Sequence, residues 1–400
     1  MGKILALINK ETLRLIREKT QVSFEYLSRS TGKEISVLKE WEDVGSVSSL
    51  PTIPQAKALA YSLRVPFAGL YMPPSLIPIP ALPSLLNKRT IPGGTIIDNS
   101  RLNLAIIDIL REREFLIKTN EELNLQGVQF SMSMTGTGIK EWASYIRTYL
   151  NLSTTEQHRC TTTRQFYLHV RKKVEDAGVF VQCFSHVPVE DVRGIAIYYD
   201  FLPVIGLNDD DRPPAKTFSI IHELVHLMKR GSTVCNDMYN SRPNDQEEVF
   251  CNAVAGEVLV PEDDLRHEIA SYNSSEITLA VVEKIANWFS VSKEVILRRM
   301  LDVTPPFISR SQYQAINDQL QLNLKKDKEL AEEMKKAGIP SSYISSPSRD
   351  AMDKNSNHIG SVLLSGYEEG LLSRKDIARH IGISEKNVNK YLSEVARWNS

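Results

Sequence analysis

Apolar positions recur along most of this chain at helical spacing. Over residues 10–75 they fall into five short groups divided by polar turns. These predict helices over 11–20, from Ser23 onward, over 34–42, over 52–63 and over 66–71. Ser23 suits a helix start, and Phe24 and Leu27 follow it with a turn at Gly32. Val37, Leu38 and Trp41 give the third group its apolar stripe. Small Ser28 with Gly32 four residues later is the spacing of a close-packed helix-turn-helix corner. Residues 72–100 break the pattern: Pro73, Pro74, Pro78, Pro80 and Pro83 crowd together, with Pro92, Gly93 and Gly94 beyond. Proline stiffens the path and removes donors, so this stretch reads as a linker. Amphipathic helices resume over 101–124, 140–150 and 163–176, the last closed by Gly178. The period then shortens to that of strands over 179–183, 194–199 and 203–207.

Residues 215–230, AKTFSIIHELVHLMKR, are apolar nearly all round, which predicts a buried helix. Pro213 and Pro214 suit its start, and Gly231 its end. Inside lie His222, Glu223 and His226. Helix residues four apart share a face, so both imidazoles can address one metal ion. Glu223 falls beside that ion, within reach of a water at an open coordination position. Two His and a Glu in a buried helix are costly without partners. Zinc is such a partner: it takes neutral imidazole, and in catalytic sites it keeps an open position where the pKa of water falls to about 7.

Such a centre needs a third protein ligand. The next predicted helix, 246–260, is QEEVFCNAVAGEVLV, stopped by Pro261. Glu248 begins a stripe running through Cys251, Asn252, Ala255 and Leu259, and Asn252 lies one turn on, where an amide can brace a ligand. Glu247 and Glu257 compete with Glu248, and any Glu near a helix start also offsets the helix dipole. The Ser-, Asn- and Asp-rich stretch 232–245 reads as a loop. Within it Tyr239 is the candidate for stabilising a developing oxyanion, ahead of Tyr198, Tyr199 and His267. Cys235 and Cys251 can both approach the site, and ligation by either would close it and make it structural.

Composition adds boundaries rather than detail. The 400 residues suit two or three domains, and 24% charged residues with 42% apolar ones are ordinary for a globular chain. A net charge of -1 carries no global nucleic-acid signature. Residues 1–75 hold ten Lys and Arg against seven Asp and Glu, and the candidate recognition helix carries Glu34, Glu40 and Glu42 beside Lys33 and Lys39. Carboxylates there face phosphates unfavourably, so DNA binding through residues 1–75 stays open beside a protein-docking role. The opening apolar run is too short for a signal peptide, no stretch is long enough to span a membrane, and the four cysteines are scattered. The expectation is a cytoplasmic protein. After the helix at 279–288 and a core closing near Met300, LKKDKELAEEMKK reads as a solvated helix, followed by a Ser-rich loop. Ser373, Ala378, Gly382 and Ser384 repeat the small-residue corner in a second helix-turn-helix-like unit.

Residues 1–75 resemble the repressor-type (XRE-like) helix-turn-helix domain, with PTIPQAKALAYSLRVPFAGLY similar to its closing helices. Residues 101–310 resemble the ImmA/IrrE metallopeptidase family, through RGIAIYYDFLPVIGLN, AKTFSIIHELVHL, EVFCNAVAGEVLVP and FSVSKEVILRRML. Lys216 and Phe250 depart from the family's frequent Arg and Glu, outside the metal constellation. The resemblance implies a zinc endopeptidase of gluzincin type that cleaves a helix-turn-helix repressor and so derepresses prophage, mobile-element or stress genes. It carries His222, His226 and Glu248 over as metal ligands and Glu223 as general base. The strand ending near Asn208 is expected to pair with an extended substrate. The expected organisation is an XRE-like domain (1–75), a Pro-rich linker (76–100), a peptidase domain (101–310), a linker with a charged helix (311–357) and a C-terminal helical segment (358–400). The expected class is α+β, mostly helical, with a small antiparallel sheet packed on the HExxH helix and helix-turn-helix-like domains flanking it. The alternative is a DNA-binding regulator or antitoxin-like module whose peptidase domain is inactive or sensory.

Overall fold

A computed structural model describes residues 4–46, 49–87, 98–235, 246–337 and 346–399. The chain divides into two compact units. The first comprises Met1–Ser84, Ile91–Lys118 and Phe184–Pro188. It holds α1 (Lys10–Thr20), α2 (Phe24–Thr31), α3 (Ile35–Glu42), α4 (Ile53–Ser62) and the start of α5 (Ser100–Glu122). The caps are those the sequence announces. Asn9 accepts from the Thr12 amide, Ser23 from the Tyr26 amide, and Gln55 closes back on Thr52. Lys10 Nζ satisfies the last carbonyls of α3, reaching Glu40 O at 2.9 Å and Asp43 O at 3.1 Å. Leu13, Ile16, Leu27, Leu38, Trp41 and Leu59 form the core, and Ile77 and Ile79 of the Pro-rich stretch are buried in it too. Gly32 serves conformation rather than close packing: its φ is +65°, and a Cβ there would meet nothing within 4 Å.

The second unit comprises Leu85–Thr90, Thr119–Cys183 and Val189–Ser400. It is α+β and mostly helical, as the periodicity predicts. In chain order it holds β1 (Leu86–Asn87), α6 (Ile139–Tyr149), α7 (Thr154–Arg159), α8 (Thr163–Asp176) and the strands β2 (Phe180–Phe184), β3 (Gly194–Ile197) and β4 (Val204–Asn208). Then come α9 (Pro213–Met228), β5 (Thr233–Cys235), α10 (Gln246–Leu259), α11 (Glu262–Ile269), α12 (Leu279–Phe289) and α13 (Lys293–Asp302). It closes with α14 (Arg310–Lys336), α15 (Pro347–Lys354), α16 (Asn357–Glu368), α17 (Arg374–Ile381) and α18 (Val388–Asn399).

The sheet order is β1-β5-β3-β4-β2. β3 is antiparallel to both β4 and β5, whereas β1 joins β5 in parallel, so the sheet is mixed rather than purely antiparallel. β4 lies between β3 and β2. Its edges are already taken, so it cannot accept an extended substrate as the sequence reading expected. β3 and β4 are buried along their whole lengths, which explains their continuous apolar runs.

α9 packs against α8 and α10 and against β3 and β4. Every residue from Ala215 to Met228 is buried. The helix ends as the left-handed Arg230 (φ 58°) turns the chain, and the Gly231 amide donates back to His226 O at 2.8 Å. α10 also lies across α6, where Phe250 meets Trp142 edge to face at 5.3 Å.

Residues 346–358 are anchored on α8 and β2 by polar groups. Buried Arg171 donates to Met352 O at 2.6 Å and Asp353 O at 2.8 Å, the last carbonyls of α15. One turn on, Glu175 accepts from the Asn357 amide at 3.1 Å and from Asn357 Nδ2 at 2.6 Å, at the start of α16. Two side chains of α8 thus cap one helix end each, the cation at a C-terminus and the anion at an N-terminus. Gln182 of β2 bridges the intervening turn through Asn355 and Ser356.

Candidate metal centre

α9 presents His222 and His226 on one face, with their Nε2 atoms 3.1 Å apart. α10 brings Glu248 against both: Oε2 lies 3.3 Å from His222 Nε2, and Oε1 lies 3.0 Å from His226 Nε2. Around a tetrahedral zinc with bonds of about 2.0–2.1 Å, neighbouring N and O donors stand about 3.3 Å apart. The three side chains therefore span the edges of such a site. Their chemistry fits as well, since two imidazoles and a carboxylate form a known catalytic zinc set.

A fourth donor joins them. Cys235, the last residue of β5, places Sγ 3.9 Å from His226 Nε2 and 3.9 Å from Glu248 Oε1. The donor atoms of His222, His226, Cys235 and Glu248 all lie within 4.8 Å of one another, and all four residues are buried. The sequence reading took residues 232–245 for a loop and so missed β5. Its signal was short: β-branched Thr233 and Val234 just after Gly231. Strand alternation then turns Thr233 and Cys235 to the same face, towards α9.

Glu223 points beside the cluster. Thr233 Oγ1 donates to Glu223 Oε2 at 3.3 Å. Gly194, the first residue of β3, backs the same carboxylate so closely that a Cβ there would overlap it. Gly194 is also the register partner of Cys235, so one backbone position sets both side chains. A cavity of about 10 Å³ is lined by Arg193, Gly194, Phe218, Ser219, His222, Glu223 and Cys235. That is room for roughly one water molecule. Arg193 is its cationic wall, held by Asp211 at 2.8 Å.

The electrostatics follow from burial and proximity. Burial pushes Glu223 above the ordinary carboxylate range, against the opposing pull of His222 and His226. Burial opposes charge on Glu248 too, but hydrogen bonds from His222 and His226 outweigh it and hold that carboxyl well below the usual range. His222 is desolvated, yet its bond to Glu248 and the charge of Glu223 lift it above an ordinary histidine, and the Asn252 amide contributes in the same sense. Burial, then the charges of Glu223 and Glu248, push the Cys235 thiol well up. A cation among these groups inverts that logic, because a coordinating thiol is deprotonated outright.

The competing residues separate by geometry. Glu257 pairs with buried Arg299 and accepts from the Glu262 amide at 3.0 Å, away from the cluster. Glu247 approaches the other nitrogen of His226, with Oε1 3.9 Å from Nδ1. Cys251 also faces Nδ1, at 3.8 Å. Asn252 stands beside His222, as its place one turn beyond Glu248 suggests. Tyr198 donates to Asp200 at 2.9 Å. Tyr239 lies outside the described residues.

No curated protein matches the chain. Residues 175–301, which contain β3 to β5 and the helices that carry His222, Glu223, His226 and Glu248, match the family model described as the Peptidase_M78, IrrE N-terminal-like domain, so this part of the chain is similar to a metallopeptidase-type fold with a buried group able to hold a metal ion.

Proposed function

We propose that the chain is a zinc-dependent endopeptidase that cuts a helix-turn-helix transcriptional repressor and so releases prophage, mobile-element or stress genes. The convergence of His222, His226 and Glu248, with Glu223 beside them, carries this reading. Bound there, zinc supplies Lewis acidity to a scissile carbonyl and lowers the pKa of water. The chain's own groups do the rest. Glu223, raised by burial towards working pH, takes a proton from the attacking water and returns it to the leaving amine. Thr233 and Gly194 hold that carboxylate on one side of the small cavity. Arg193 is the cation placed to offset charge developing there. The repressor as substrate rests on the family likeness and on the helical first unit. In that unit α3 and its N-cap residue expose Glu34, Ser36 and Glu40 beside Lys39, a face suited to protein rather than to phosphate.

Elemental mass spectrometry tests the centre. The wild-type chain should carry one zinc, while His226→Ala and Glu248→Ala should lose most of it without losing helical content. A wild type purified without chelator yet free of zinc would sink the reading.

Gly194→Ala offers a finer check. The added methyl must displace the Glu223 carboxylate, and misplacement by about 1 Å costs roughly a hundredfold in rate. We expect zinc content to stay at the wild-type level while cleavage of the repressor falls by about that factor. Unchanged cleavage would mean that Glu223 is not positioned by β3.

A further inference from the structure

We propose that Cys235 is a fourth metal ligand, so that the resting chain holds its ion in a closed His222–His226–Glu248–Cys235 set with no position open to water. This rests on the metal-centre reading above and adds a thiolate to it. Around a tetrahedral ion with a metal–sulfur bond of about 2.3 Å, sulfur stands about 3.6 Å from neighbouring N or O donors. Cys235 Sγ lies 3.9 Å from His226 Nε2 and from Glu248 Oε1, each a few tenths of an ångström beyond that spacing, and all four donor atoms lie within 4.8 Å of one another.

Three further observations support the assignment. First, the strand holds the sulfur in place: Cys235 is paired with Gly194, and the Arg193 amide donates to Cys235 O at 2.9 Å. Second, Cys251 is the wrong thiol, since it faces Nδ1 of His226, the nitrogen directed away from His222 and Glu248. Third, the donors are buried and the space beside them is small. His222, Glu223, His226, Cys235 and Glu248 are each at most 4% exposed, and the cavity that Cys235 shares with Glu223 holds about 10 Å³. That volume admits one water and no peptide carbonyl with its flanking chain. Ligation is proton-balanced: the sulfur–hydrogen bond gives way to the metal–sulfur bond, the proton passes to bulk water, and no oxidant or reductant takes part. Opening the centre for hydrolysis then requires the sulfur to leave the ion.

Cobalt(II) is the probe, because thiolate ligation to it produces a sulfur-to-metal charge-transfer band in the near ultraviolet. The full chain is loaded with cobalt as wild type, Cys235→Ala, Cys235→Ser and Cys251→Ala, with metal stoichiometry and circular dichroism recorded for each. We expect the band in wild type and in Cys251→Ala, and its loss in both Cys235 variants. Those two variants should still bind one cobalt, with affinity weakened at least about tenfold. Added azide should perturb the cobalt spectrum in the Cys235 variants and not in wild type, because only they have an open position. A wild type that binds cobalt without the band overturns the proposal and leaves the three-ligand centre standing. So does a band that survives in both Cys235 variants. A wild type that binds no cobalt overturns the metal-centre reading itself, and this proposal with it.

Discussion

Glu223→Gln should lower repressor cleavage by about 10²–10⁴-fold, the usual worth of a positioned general base, while zinc content and fold stay as in wild type. The substitution is nearly isosteric. Its amide oxygen can still accept from Thr233 Oγ1, and its volume still fits against Gly194. What it loses is the ability to take a proton. Metal retention follows because the donors converge on Nε2 of the two histidines and on Glu248, none of which is altered. The rate is best compared in both the wild-type and the Cys235→Ala background, so that a closed centre does not mask the effect. Cleavage by Glu223→Gln at the parent rate in both backgrounds would remove Glu223 from the chemistry.

The second large effect concerns stability. Arg171→Met should destabilise the second unit by about 3–5 kcal/mol, the typical cost of leaving a buried charge without its partner. Arg171 is 1% exposed, its two terminal nitrogens satisfy the last carbonyls of α15, and Glu175 beside it is also 1% exposed. Methionine fills part of the space but leaves Met352 O without its donor and takes the cation from beside buried Glu175, which keeps only its bonds to Asn357. Lys172→Met is the control. Its i,i+4 pair with Asp176 is open to water and should be worth less than about 1 kcal/mol. Urea unfolding of the three proteins decides the matter. If Arg171→Met moves the midpoint no further than Lys172→Met, the capping role assigned to α8 is wrong.

The candidate ligands were legible because they ride on helices, where sequence spacing fixes direction. His222 and His226 lie one turn apart on α9 in any fold that keeps the helix. Glu257 stayed a competitor on sequence alone; it lies nine residues from Glu248, two and a half turns at 3.6 residues per turn, so the two point to opposite sides. The structure places Glu257 with Arg299 accordingly. β5 and β1 were not legible. Three and two residues are too few to display alternation, and their existence depends on hydrogen bonds to strands far along the chain. α7 was missed because TTEQHR carries no apolar stripe; it is held by its capping box and by buried Gln157. Cys235 could be suspected as a ligand from the sequence, but its position relative to Glu223 required the β3–β5 register.

The seat that α8 offers to residues 346–358 also has a temporal side. A ribosome delivers α8 long before it delivers α15 and α16, so a nascent core carries an arginine and a glutamate whose final partners have not been made. Water must serve in their place until then. A message cut short between α14 and α15 would yield a chain with its candidate ligands all present and this seat permanently wet. Proteostasis would meet such a product as unfinished, even though every donor of the candidate metal centre had already been translated.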